Sequence, residues 1–165
     1  VYPHERQCSE AVELPGGTPT EKAEFRDNLI ADIAKVEQGM KIALIGVVNP
    51  LIAAIRKRGG TCLPCDLQME RTHWGDPVEK DMEKVLDSAD GVICTGMTLS
   101  NGTFDRVIER VLERSIPLTV YAQTGSAVAA RFVGAGITSL VAEPFPFSQF
   151  SANATRVFCY RGQGD

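Results

Sequence analysis

Apolar residues recur along this chain in two alternating rhythms, and the alternation sets out a fold. Short apolar runs bounded by Gly or Pro occur at 41–46 (KIALIG), 61–67 (TCLPCDL), 91–95 (GVICT), 117–122 (PLTVYA) and 137–142 (ITSLVA). Runs of this form are strands buried on both faces of a parallel sheet. Segments with helical spacing lie between them. Thr18-Pro19-Thr20-Glu21 places Thr at an N-cap, Pro at the first helical position and Glu three residues beyond the cap. Phe25, Leu29, Ile33 and Val36 then predict one face of a helix that Gly39 stops. Asn49-Pro50 predicts the cap and first turn of a helix through Ile52 and Ile55, ending at Gly59-Gly60. Asp76-Pro77-Val78-Glu79 repeats the cap, Pro and Glu arrangement ahead of Met82, Val85 and Leu86. Phe104, Val107, Ile108, Val111 and Leu112 form a full helical stripe, and 127–133 predicts a shorter helix.

Strands alternating with helices imply an α/β fold in three layers, with a mostly parallel central sheet flanked by helices and right-handed crossovers. Residues 1–17, with Pro3, Pro15, Gly16 and Gly17, show no sustained period and read as an arm. The expected organisation is therefore an arm plus helix over 1–40 and a ligand-binding domain over 41–160. Residues 156–160 add a last edge strand and 161–165 form a tail.

Composition narrows the class. A chain of 165 residues that is 44% hydrophobic suits one domain with a full core. A net charge of -4 and a pI near 5.3 supply no basic field for phosphate backbones, so nucleic acid is not an expected partner. No apolar run approaches the ~18–20 residues of a membrane span, and Val1 to Gln7 is too polar for a signal peptide. A cytoplasmic protein is expected. Five cysteines are an odd number, and Cys62, Cys94 and Cys159 sit in apolar runs where reduced thiols pack as small hydrophobes.

Candidate chemistry concentrates at the strand ends, because ligands of open α/β sheets bind outside the carboxyl ends of the strands. The run at 91–95 breaks into Gly96 and a loop carrying Thr95, Thr98, Ser100, Asn101 and Thr103, with Asn101 also placed to cap the helix that follows. Thr124-Gly125-Ser126 lies at an equivalent strand end, so the two loops predict one pocket for a carboxylate, a phosphate or a polar metabolite. Gly46-Val47-Val48-Asn49-Pro50 occupies the place of a dinucleotide fingerprint, with Asp66 twenty residues after Gly46. Val47 and Val48 put β-branched side chains where a pyrophosphate needs bare backbone, and Pro50 removes an amide donor, so a smaller ligand is expected there. Cys62-Leu63-Pro64-Cys65 lacks the second pair of a zinc knuckle, and in a strand its cysteines point to opposite faces. A loop conformation would instead gather Cys65, Asp66 and His73 around a soft divalent metal. No Ser/His/Asp set or paired-carboxylate motif is present, so no catalytic residue is assigned.

Ile45-Gly46 with Pro50, Ala89-Asp90 before the third strand, and above all Thr95-Gly96-Met97-Thr98-Leu99-Ser100-Asn101-Gly102-Thr103 resemble a Rossmann-like family of unknown function associated with heavy-metal chelation. Its signature is Thr-Gly-x-Thr-x-x-Asn-Gly-Thr, and Gly125-Ser126 and 132–136 resemble its later turn and glycine segment. The likeness runs from Lys41 to about Pro146. It implies a cleft formed by the loops, often shared with a smaller upstream domain similar to an enolase amino-terminal domain, and a ligand site at Gly46, Asn49, Thr95, Thr98, Asn101, Thr103 and Ser126. Forty residues before the first strand are too few for that upstream domain, so it is absent or the chain is a fragment.

The expected function is binding or processing of a metal ion or metal-complexed small molecule at the strand ends. Two alternatives stand beside it. One is an enzyme using an adenosine-containing cofactor, a nucleotide or S-adenosylmethionine, with Asp66 on the ribose. The other is a non-catalytic subunit that docks a partner, or a second copy as a homo-oligomer, through Trp74 and 144–150.

Overall fold

The computed structural model describes residues 3–163. Seven strands form one sheet: β1 (Glu10–Leu14), β2 (Lys41–Ile45), β3 (Thr61–Cys65), β4 (Gly91–Thr95), β5 (Leu118–Ala122), β6 (Ser139–Ala142) and β7 (Thr155–Arg161). Their order is β1-β7-β6-β5-β4-β2-β3. β2 to β6 are parallel, whereas β7 runs antiparallel to β6 and β1 antiparallel to β7. The five expected strands are all present, and their apolar runs are buried because helices cover both faces. On one face Ile42, Leu44, Ile93 and Val141 pack with α2 (Pro19–Ile33) and α3 (Asn49–Lys57). On the other, Ala43, Val92, Cys94, Val120 and Leu140 pack with α4 (Met82–Ser88) and with α6 (Phe104–Arg114), which follows the one-turn helix α5 (Met97–Ser100). Cys62 packs on the first side and Cys65 on the second, as the strand period requires.

The first residues depart from the arm expected of them. A short helix, α1 (His4–Gln7), is followed by β1, which pairs with β7 from Glu10↔Cys159 to Leu14↔Thr155. Only Leu14 of that strand is buried, so the segment carries no apolar period and is held through its backbone ladder. Consequently β7 is an interior strand and β1 the edge. β7 also takes in Arg161, the first residue of the expected tail. Val1, Tyr2, Gly164 and Asp165 lie outside the described residues.

Helix starts and faces differ too. The capping box at α2 forms as expected, with Thr18 Oγ1 accepting from the Glu21 amide at 3.2 Å and Glu21 Oε2 accepting from the Thr18 amide at 2.8 Å. The helix ends at Ile33, and Phe25 is 42% exposed while Lys22, Arg26 and Asp27 are buried. The cap of α3 is Val48, since Asn49 uses its side-chain oxygen to accept from the His73 amide at 3.0 Å. Residues 76–80 are extended: Glu79 exchanges backbone hydrogen bonds with Pro64 and Asp66, and α4 begins only after Asp81, which accepts from the Glu83 amide. Asn101 does not cap α6, whose cap position is Thr103. It closes a tight turn instead, accepting from the Thr103 hydroxyl at 2.7 Å and amide at 3.2 Å. Leu112, the last position of the α6 stripe, is exposed.

Candidate functional site

A cavity of about 500 Å³ opens beyond the carboxyl ends of β2, β3 and β4. Gly46 sets its depth. Its φ of +85° is unfavourable for a side chain, and a Cβ there would lie 2.4 Å from Thr95 Oγ1. Strand ends β2 and β4 can therefore close on one another only with glycine at 46. The hydroxyl of Thr95, buried at this contact, has no hydrogen-bond partner.

Asp66 organises the wall that follows β3. Its Oδ2 accepts from the Val47 amide at 3.0 Å, and its Oδ1 from the Gln68 and Met69 amides at 2.8 and 3.1 Å. Burial opposes the charge, yet these amides and nearby Lys80 hold the carboxyl below its ordinary pKa. Lys80 completes the turn by donating to the carbonyls of Asp66 and Met69 at 3.0 and 2.6 Å. Burial, reinforced by Glu79 and Asp66, pushes the Cys65 thiol up to about 11, so it is protonated near neutral pH. Burial, opposed in part by a contact from Thr98, pushes the Cys94 thiol up to about 12.

Gly46, Cys65, Asp66, Thr95, Thr98, Asn101 and Thr103, all expected from the sequence, come together on this one cavity. Thr98 turns its hydroxyl back to the Thr95 carbonyl at 2.9 Å. Val47 packs into the core beneath, its amide spent on Asp66. Asn49 ties down the 68–75 loop through His73, whose ring sits edge-on to Trp74 at 5.5 Å. The expected Cys65, Asp66 and His73 set does not assemble. Among the described residues no group of three or more His, Cys, Asp or Glu is arranged to hold a metal ion.

Thr124, Gly125 and Ser126 also lie apart. A Cβ at Gly96 would meet the Thr124 carbonyl at 2.9 Å, and one at Gly125 would meet Leu99 at 3.0 Å, so the two loops touch, and none of residues 124–126 lines the cavity beyond β2, β3 and β4. Ser126 faces the other way, its hydroxyl 3.3 Å from His4 Nε2. The 123–126 turn backs the 95–103 loop from outside.

Residues that motif reasoning passed over complete the walls: Leu67, Gln68, Met69, Lys80, Met82 and Met97. The chain has four methionines, and three of them are here. Their placement just after a strand end or at a helix start is the one signal that the sequence offered. The donor set consequently does not fit a hard or borderline ion held by carboxylates and imidazoles. Soft ions prefer thioether and thiolate sulfur, and Met69, Met82, Met97 and Cys65 are among the residues that line the cavity.

A three-layer α/β domain with a strand-end cleft is the class that fold and site define. The chain belongs to the DUF364 family, described as "Putative heavy-metal chelation", whose sequence profile matches residues 29–140. Among solved structures it is similar to a protein of unknown function from the same family in Pyrococcus horikoshii, at 15% identity and a TM-score of 0.60, over 87% of this chain and 65% of that one. It is also similar to several aminotransferases. One is the α-aminoadipate aminotransferase of Thermus thermophilus, at 13% identity and a TM-score of 0.59, over 92% of this chain and 41% of that one. Another is TlmJ of Streptoalloteichus hindustanus, at 15% identity and a TM-score of 0.56, over 90% of this chain and 39% of that one. The chain thus spans less than two thirds of each. Identities this low show the fold alone. No curated protein matches the chain.

Proposed function

We propose that the cleft beyond β2, β3 and β4 binds a soft metal ion, either bare or as the complex of a small molecule. The observation that carries this reading is the sulfur on its walls, from Met69, Met82, Met97 and Cys65. Thioethers are neutral and polarisable, so they hold soft ions without the desolvation penalty of buried carboxylates. A volume near 500 Å³ lies within the ~300–1,000 Å³ of small-molecule pockets and exceeds what a bare ion fills, which favours an ion that arrives with organic ligands. The family description agrees with metal as the cargo. In the adenosine alternative a ribose would have to share Asp66 with the Val47, Gln68 and Met69 amides, which already take up most of the carboxylate's acceptor sites.

Silver(I), a redox-inert soft probe, and zinc(II) distinguish the outcomes by native mass spectrometry and thermal melting, each ion added alone and with a small thiol or imidazole chelator. The expected result is stoichiometric silver uptake with a rise in Tm, larger with chelator, and no matching response to zinc. A Met69→Leu, Met82→Leu, Met97→Leu triple variant should keep its fold and lose the uptake. Silver uptake unchanged in that variant, or an equal response to zinc, would overturn the reading.

A further inference from the structure

A second cavity, of about 640 Å³, lies at the other end of the same sheet edge, between the His4–Gln7 helix, the chain after β6 and the start of β7. None of its lining residues belongs to the first cleft. Its buried contributors are His4, Thr155 and Phe158, and its exposed ones include Phe145, Arg6 and Arg156. His4 engages the Tyr160 hydroxyl through Nδ1 at 2.6 Å and the Ser126 hydroxyl through Nε2 at 3.3 Å, and its ring stacks on Phe158 with an interplanar angle of 11°. Phe145 and three prolines add further flat apolar surface. The shape selected is a planar, apolar body.

Charge selects the rest. Glu5 pairs with Arg156 at 3.4 Å, whereas Arg6 makes no ion pair among the described residues, so the cavity mouth carries one uncompensated guanidinium. Guanidinium groups recognise carboxylates through paired, charge-assisted hydrogen bonds. Thr155, only 7% exposed, has a hydroxyl with no hydrogen-bond partner. Thr155 is among the residues that line this cavity. An unsatisfied buried hydroxyl is uncommon in native folds and calls for a partner.

We propose that this cavity is a second ligand site, for a small aromatic carboxylate, whose ring lies among Phe145, Phe158 and the prolines and whose charge meets Arg6. Benzoate, phenylacetate and indole-3-carboxylate, each set against its neutral amide, test it by isothermal titration and thermal melting of the whole chain. At least one acid should bind ten times more tightly than its amide. Arg6→Gln should bring that ratio close to one without changing the unliganded Tm. Thr155→Val should weaken the acid several-fold while leaving the unliganded Tm equal or higher, an outcome that a merely structural hydroxyl would not give. Met69→Leu, in the first cleft, should change none of this. The proposal fails if no acid outbinds its amide, if Arg6→Gln leaves the ratio intact, or if Thr155→Val lowers the unliganded Tm.

Discussion

Two places along one sheet edge handle polar groups in opposite ways. Beyond β5 and β6, Glu143 is fully buried, with Oε2 accepting from the Tyr121 and Gln123 side chains and Oε1 from the Ser148 amide. Arg26 stands 3.9 Å from the same carboxylate, stacks over the Tyr121 ring and pairs with Asp27 at 2.8 Å. Lys22, also buried, donates to the Ser151 and Asn153 carbonyls. Beyond β2 and β4 the neighbouring edge stays open, walled in part by methionine, with the Thr95 hydroxyl buried beside it and without a partner. The closed end spends its charges on pinning the 143–153 loop to α2. The open end leaves the buried Thr95 hydroxyl without a partner beside a cavity lined by three methionines.

Breaking the closed end should have the largest effect. Glu143→Ala leaves the Tyr121 hydroxyl and the Ser148 amide without their acceptor and removes one of the two carboxylates beside Arg26, and loss of one partner from a buried ionic network costs about 3–5 kcal/mol. Denaturant melts should show it. At the open end, Gly46→Ala forces a Cβ into Thr95 and a side chain onto a φ of +85°, for a loss of about 1–3 kcal/mol. Thr95→Ala in the same chain should recover part of that loss, so the two changes will be non-additive. Additive losses would place the whole cost in the backbone.

Acid probes the closed end through two carboxyls of opposite sign. Burial works against the Glu143 charge, but hydrogen bonds from Ser148, Tyr121 and Gln123 hold its pKa below the ordinary 4.5. A depressed folded pKa means stability that is present above 4.5 and lost as pH falls through the folded value. Asp27 has the opposite sign: burial raises its pKa despite Arg26, so its contribution is complete below 3.8 and declines as pH rises through the raised value. Stability should therefore fall below about pH 4.5 with a slope that Glu143→Gln flattens. An unchanged slope in that variant would move the acid sensitivity elsewhere.

The difference between the ends also explains what the sequence made legible. Five parallel strands were readable because continuous apolar runs such as 41–45 and 118–122 have one stable place, inside a covered sheet. The 95–103 loop was readable because glycine and hydroxyls beside a strand end have a mechanical meaning. The buried network was not. Lys22, Arg26 and Asp27 look like a solvated helix face, and only their contacts with Glu143 and the 148–153 backbone, more than a hundred residues away, make them core. β1 escaped for a related reason, since its stability comes from the β7 ladder and leaves no apolar trace in its own side chains. His73 was misplaced because the Asn49 hydrogen bond that fixes its loop is a tertiary contact.

The smallest expected effect is the most informative about the open end. Thr95 and Thr98 stand one turn apart beside the same cavity, and Val is close to isosteric with each. Thr98 Oγ1 donates to the Thr95 carbonyl at 2.9 Å, so Thr98→Val gives up a satisfied hydrogen bond and should cost about 1 kcal/mol. Thr95 Oγ1 has nothing to lose, so Thr95→Val should be neutral or stabilising by up to about 1 kcal/mol, because it removes a buried group left without a partner. Paired melts of the two variants measure the difference directly. If Thr95→Val is as costly as Thr98→Val, the hydroxyl is satisfied within the fold and the open end is as closed as its neighbour. If instead it is neutral for stability yet weakens silver-complex uptake, the hydroxyl is held in reserve for the ligand.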